Sequence, residues 1–147
     1  MDSIKITTGI KRIHIIRDDD VETDISFNPG DALFAEKFYT VYKEFMQKQE
    51  EYDAKSKELD AHKNEVDENG IPVNIDQGIA FLSEVCMFMR GKIDLLFGVG
   101  TSEKVFGTAQ SIDAINQFFG GITPFISKAR AEKISKHVGG NANKVLK

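Results

Sequence analysis

The period of the apolar positions changes near residue 30. Ile4-Lys5-Ile6 and Ile13-His14-Ile15-Ile16 are short β-branched runs separated by the turn signal Thr8-Gly9. Asp24-Ile25-Ser26-Phe27 alternates and stops at the breaker Asn28-Pro29-Gly30. The pattern predicts a short antiparallel β meander over residues 1–28, too small to stand without a partner. From Asp31, placed as an N-cap, the period becomes helical: Phe34, Phe38, Val41 and Phe45 share one face. Past Gln47 the stripe thins to Tyr52, Ala54, Leu59, Ala61 and Val66, while pairs such as Glu44–Lys48 and Glu51–Lys55 still favour helix. One long helix over 31–66 is expected, its first half packed and its remainder an exposed arm over 47–70.

After the turn-rich Asp67-Glu68-Asn69-Gly70-Ile71-Pro72, a helix over 75–97 is expected, with Asn74 or Asp76 as cap. Leu82, Val85, Met89, Ile93 and Leu96 form its stripe. Phe81, Cys86, Met87 and Phe88 widen that stripe past half the circumference, which predicts a central buried helix. Gly98-Val99-Gly100 ends it, and Thr101 or Ser102 caps a short turn through Phe106 that Gly107 stops. Ile112, Ile115, Phe119, Ile122 and Ile126 then keep helical spacing through Gly120-Gly121 and Pro124, where a break or sharp kink is expected. Residues 139–147 read as a flexible tail. The expected fold is α+β and mainly α-helical, a single domain over 1–138. Its β meander packs on a bundle of three to four helices, the first long and projecting.

Composition narrows the function. With 147 residues, 41% apolar and 29% charged, the chain fits one globular domain and neither a disordered nor a fibrous class. A single cysteine leaves no disulfide framework and no Cys-based zinc site. Met1-Asp2-Ser3-Ile4-Lys5 lacks a signal-peptide core, and no apolar run reaches membrane-spanning length, so a soluble protein of the cytoplasm is expected. The net charge of −4 is unevenly placed: residues 47–70 carry eight acids against four bases, residues 101–147 three acids against seven bases. A mildly acidic total argues against sequence-independent nucleic-acid binding, leaving only the basic segment Lys128-Ala129-Arg130-Ala131-Glu132-Lys133 for a helical DNA-binding regulator.

Candidate chemistry is sparse. Asp18, Asp19, Asp20, Glu22 and Asp24 read better as a solvated loop than as a metal site, for lack of a glycine at a tight turn. Glu65, Asp67, Asn69 and Asp76 match an EF-hand spacing in part, but Pro72 falls where an apolar strand residue belongs and the last position lacks its Glu. Gly98–Lys104 has the wrong order for a phosphate loop. His14, His62 and His137 form no ligand or catalytic pair, and Cys86 reads as a buried inert thiol. No catalytic residue, cofactor or metal is therefore expected, and the chain reads as a non-enzyme. Phe97, Phe106, Phe118, Phe119 and Phe125 crowd the region of the glycines; they either fill the core or form a partly exposed patch for a hydrophobic partner. Tyr52 and Leu59 are the candidate assembly contacts of the arm.

The order of these elements resembles a known family. It runs from the β meander to Phe34-Ala35-Glu36-Lys37-Phe38-Tyr39, the acidic arm and Glu68-Asn69-Gly70-Ile71-Pro72. The run Phe97-Gly98-Val99-Gly100-Thr101-Ser102-Glu103-Lys104-Val105-Phe106-Gly107 follows, and Gln117-Phe118-Phe119-Gly120-Gly121-Ile122-Thr123-Pro124-Phe125-Ile126 closes it. The chain resembles small proteins of tailed phages and prophages of Gram-positive bacteria, similar to tail assembly chaperones. The resemblance implies a protein made in the cytoplasm of the bacterial host that binds the tape measure protein, or tail subunits, and keeps it soluble. It also implies that a frameshifted, longer form can extend the tail after Gly139. A homo-oligomer is expected, because a long linear client rewards multivalency. The competing expectation is a structural virion component, a tail or head-completion protein.

Overall fold

The computed structural model describes residues 1–62 and 64–134; the expected tail over 139–147 and His137 lie outside them. Its α+β fold is mainly helical, as the periodicity predicts, but the sheet of the described residues has two strands instead of a three-strand meander. Strand β1 (Lys11–Ile16) pairs antiparallel with β2 (Glu22–Phe27), Lys11 opposite Phe27 and Ile16 opposite Glu22. Ile4-Lys5-Ile6 joins neither strand, and residues 1–10 are all exposed. Asn28 Nδ2 donates to the Thr8 carbonyl at 2.7 Å, which holds that segment beyond the end of β2 and away from the outer edge of β1. The hairpin needs no glycine: Asp20 takes φ 66°, while Arg17 N–H donates to Val21 O and Asp20 N–H to Arg17 O.

Helix α1 (Ala32–Asp60) starts as expected, with the Asp31 side chain accepting the Phe34 N–H at 3.0 Å. It buries Ala35, Phe38, Val41 and Phe45. It stops at Asp60, short of Val66. Asp67 Oδ1 accepts the N–H groups of Asn69 and Ile71, and a Val66–Pro72 bridge closes the turn. Helix α2 (Ile75–Phe97) then returns along α1. The arm is consequently not a lone helix: Tyr52 stacks on Phe81 at 5.9 Å and 3°, Leu59 lies against Gly78, and Asn74 Nδ2 donates to Leu59 O at 2.9 Å. Asn74 occupies the N-cap position of α2, but its side chain closes the hairpin instead of capping the helix. Among the described residues none from Met46 to Glu84 is buried, so this pair of helix halves projects past the core.

The expectation of a central buried α2 holds on one face only. Val85, Cys86, Met89 and Ile93 are buried, whereas Met87 and Leu95 are exposed, because α1, α4 and the sheet cover a single side of the helix. Helix α3 (Thr101–Phe106) is capped neither by Thr101 nor by Ser102. Instead Asp94 of α2 accepts the Ser102 N–H at 2.7 Å and the Ser102 hydroxyl at 3.1 Å. Helix α4 (Ile112–Ile134) opens with Ser111 Oγ accepting the Ala114 N–H and runs unbroken through Gly120-Gly121 and Pro124. The expected break is absent because the apolar stripe holds the helix on both sides of the proline: Phe118, Phe119, Ile122 and Ile126 are all buried. Pro124 cannot donate to the Gly120 carbonyl and its ring crowds that group; a glycine there lets the backbone yield.

The core is an aromatic slab. Phe119 of α4 packs against Phe38, Tyr42 and Phe45 of α1 with ring centroids 5.3–5.7 Å apart. Phe118 continues the contact to Phe97 and Phe106, and Phe97 to Phe27 of β2. No helix among the described residues is long and apolar enough to cross a membrane. Phe119→Ala should lower unfolding free energy by about 3–5 kcal/mol, measured by denaturant titration, since it opens a cavity between α1 and α4 that the surrounding rings cannot fully close.

Candidate functional site

Among the described residues, two surfaces offer apolar groups to a partner. One is a groove of about 670 Å³ between the outer edge of β1 and the first half of α4. The consecutive run Ile13–Asp19 lines one wall, so the strand meets the groove with its backbone edge as well as its side chains. Phe118, Ile122, Val105 and Ala114 supply apolar floor, and Gly121 leaves open space where a Cβ would meet nothing within 4 Å. Arg17 closes one end. Its guanidinium donates to both Asp19 carboxylate oxygens at 2.9 and 2.6 Å and to the carbonyls of Glu103 and Lys104 at the end of α3. Gly107 (φ +62°) makes room for it: a Cβ there would sit 3.2 Å from the guanidinium carbon.

The other surface is the outer face of α2. Ala80, Glu84, Met87, Gly91 and Leu95 follow one another along it at helical spacing, and all are exposed, Met87 at 62% and Leu95 at 83%. Phe88 flanks the row with Lys48 and Lys92 over its ring at 5.0 and 5.4 Å. The hairpin tip adds Val66, Ile71, Val73, Ile75 and Ile79, each exposed and interspersed with Glu65, Asp67, Glu68 and Asp76.

The structure brings the sequence-predicted residues together differently from the expected patch. Phe106, Phe118 and Phe119 are buried, and Phe97 and Phe125 are half-buried against the same core, so the five phenylalanines do not form an exposed patch. Tyr52 and Leu59 sit in the arm as expected, but they face α2 and hold the hairpin shut. Met87 and Leu95 are the exposed apolar residues that sequence reasoning assigned to the core or passed over. The signal was there in the width of the α2 stripe, which exceeds what neighbours on one side can cover. Arg130 of the basic segment donates to the Gly30 carbonyl at 3.5 Å, which ties part of that segment to the fold.

The carboxylates of the hairpin loop serve neighbouring cations. Asp19 is held below its usual range by the Arg17 hydrogen bonds. On the outer face of the sheet His14 bridges Asp24 at 2.7 Å and Glu22 at 3.0 Å, and these bonds, Asp24 first, raise its pKa above the ordinary 6.5. His62 is raised in the same way by Glu65. Burial pushes the Cys86 thiol up, keeping it protonated and a poor nucleophile.

A model of the family of unknown function DUF6673 matches residues 19–145, and the chain belongs to that family. No curated protein and no solved structure matches it.

Because the folded pKa of His14 lies above its unfolded value, the imidazolium bridge is fully stabilising below that unfolded value and is lost as pH rises through the folded one. His14→Gln should therefore lower the denaturation midpoint relative to the parent in mildly acidic buffer, and the difference should shrink toward alkaline pH. Midpoints measured in parallel across the range check this. A His14 pKa at or below 6.5 by proton NMR would contradict it.

Proposed function

We propose that this DUF6673 chain is a non-enzymatic assembly protein of a phage or prophage, a chaperone-like binder of the tape measure protein or of tail subunits in the host cytoplasm. The outer face of α2 carries the reading. Leu95 and Met87 stand out from it with Gly91 leaving a notch between them, and Ala80 leaves another beyond Glu84; such a relief accepts the apolar stripe of a client helix. Methionine adapts to clients of varied shape, which suits a protein that must hold many segments of one long polypeptide. The resemblance to tail assembly chaperones supplies the identity of the client; the α2 face supplies a means of holding it.

Acidic residues among the exposed aliphatics of the hairpin tip support the same role. They keep an apolar arm in solution while leaving short hydrophobic contacts within reach of a partner.

Co-expression with a tape measure fragment tests the proposal. The parent chain should raise the soluble fraction of the fragment, and a variant carrying Met87→Asp with Leu95→Asp should return it to the level of the fragment alone. Both side chains are exposed, so the double variant should keep its own thermal midpoint. If the fragment stays insoluble with the parent chain and the protein is recovered in purified virions, a structural virion role replaces the chaperone role.

A further inference from the structure

The groove beside β1 is shaped for a strand, and the chain carries an unpaired segment that matches it. In an antiparallel pair, hydrogen-bonded and non-hydrogen-bonded positions alternate. Arg17 N–H bonds Val21 O, so in the register of the sheet Ile15 and Ile13 turn their backbone groups toward β2. Arg12, His14 and Ile16 accordingly turn theirs outward, His14 and Ile16 along the wall of the groove. Such an edge is a template for another strand. Its inward side chains, Ile13 and Ile15, already pack on the core, and the floor next to them is Phe118 and Ile122.

The matching segment lies in residues 3–10. Ile4, Ile6, Thr8 and Ile10 occur at a period of two, the spacing of one strand face, while Ser3, Lys5 and Thr7 occupy the other. The three isoleucines are among the most exposed aliphatic side chains of the protein, at 89, 79 and 71%. Nothing among the described residues covers them. We propose that residues 3–8 of a second copy of this chain add as a third strand to the outer edge of β1, with Ile4 and Ile6 seated over Phe118 and Ile122.

The geometry favours a second copy over the chain's own arm. Asn28 Nδ2 holds the Thr8 carbonyl beyond the β2 end of the sheet, and Gly9 at φ +96° lies against Asn28 Oδ1. Folding back along its own β1 would break that bond. A segment arriving from another molecule leaves it in place. This interface is separate from the α2 face proposed for the client, so either can fail without the other.

Light scattering coupled to size exclusion, with hydrogen exchange on the same samples, tests the proposal. The parent chain should elute with a mass of at least two chains. Deleting residues 2–8, or substituting Ile4→Asp with Ile6→Asp, should give a monomer of unchanged far-UV circular dichroism. Gly121→Phe, which fills the groove where a side chain meets no neighbour, should do the same. Mixing the deletion variant, which keeps the groove, with the Gly121→Phe variant, which keeps the arm, should restore a complex. Amides of Arg12, His14 and Ile16 should lose protection about tenfold or more when the arm is removed. A monomeric parent chain with those amides protected would mean that the chain's own arm fills the groove, and would overturn the exchange. An oligomer unaffected by deletion of the arm would overturn it too. Should Gly121→Phe fail to fold, a labelled peptide of residues 1–10 replaces it, and absence of binding to the deletion variant counts against the proposal.

Discussion

The rest of the structure depends on the seating of Phe119 among Phe38, Tyr42 and Phe45. A two-stranded ribbon is marginal in water, and a hairpin of two helices that packs along one side only is little better. Helix α4 covers both, and the Phe119 ring is the centre of its aromatic contact with α1. From there the ring contacts pass through Phe118 and Phe97 to Phe27, so the sheet is tied to the helices by edge-on and tilted aromatic pairs. Eight of the eleven phenylalanines, in a chain without tryptophan, form one continuous packing surface. The same chain of contacts explains why the crowded aromatics near the glycines are not a docking patch.

Local signals were well preserved in the sequence. Asp31 and Ser111 cap the helices they precede, the stops at Gly98 and Gly107 fall where glycine predicts them, and α2 keeps the bounds 75–97. Failures came where a neighbour decides. Periodicity defines which side chains share a face, but not whether that face is covered, so Met87 reads the same as Met89 from sequence. Tyr52 and Leu59 looked isolated because their partners, Phe81 and Gly78, lie on the returning helix. Ile4 and Ile6 have a strand pattern and no strand partner among the described residues, a distinction that propensity cannot express.

The continuity of α4 belongs to the same class. Gly120, Gly121 and Pro124 are each unfavourable inside a helix, and local reasoning sums them to a break. Tertiary burial outweighs that sum, since Ile115, Phe118, Phe119, Ile122 and Ile126 together bury an apolar stripe worth several kcal/mol. The Thr123 hydroxyl bonds the Phe119 carbonyl at 2.7 Å and so gives one carbonyl near the proline a second partner. The residues that weaken the helix also shape its surroundings: the missing side chain at Gly121 leaves the groove wide enough for another element beside β1.

The two exposed apolar surfaces sit on different elements, and that separation has a mechanical consequence. The groove belongs to β1 and α4, whereas the seam of Met87 and Leu95 lies on the side of α2 turned away from the core. An assembly joined through the groove leaves every α2 seam and every acidic hairpin exposed. Copies so joined would offer a repeated row of weak apolar contacts, each a modest helix-sized site. A long client would then be held by effective concentration along the row instead of by a single tight pocket. The acidic tips fit this arrangement, because their mutual repulsion would space neighbouring hairpins apart and discourage contact through the tips themselves.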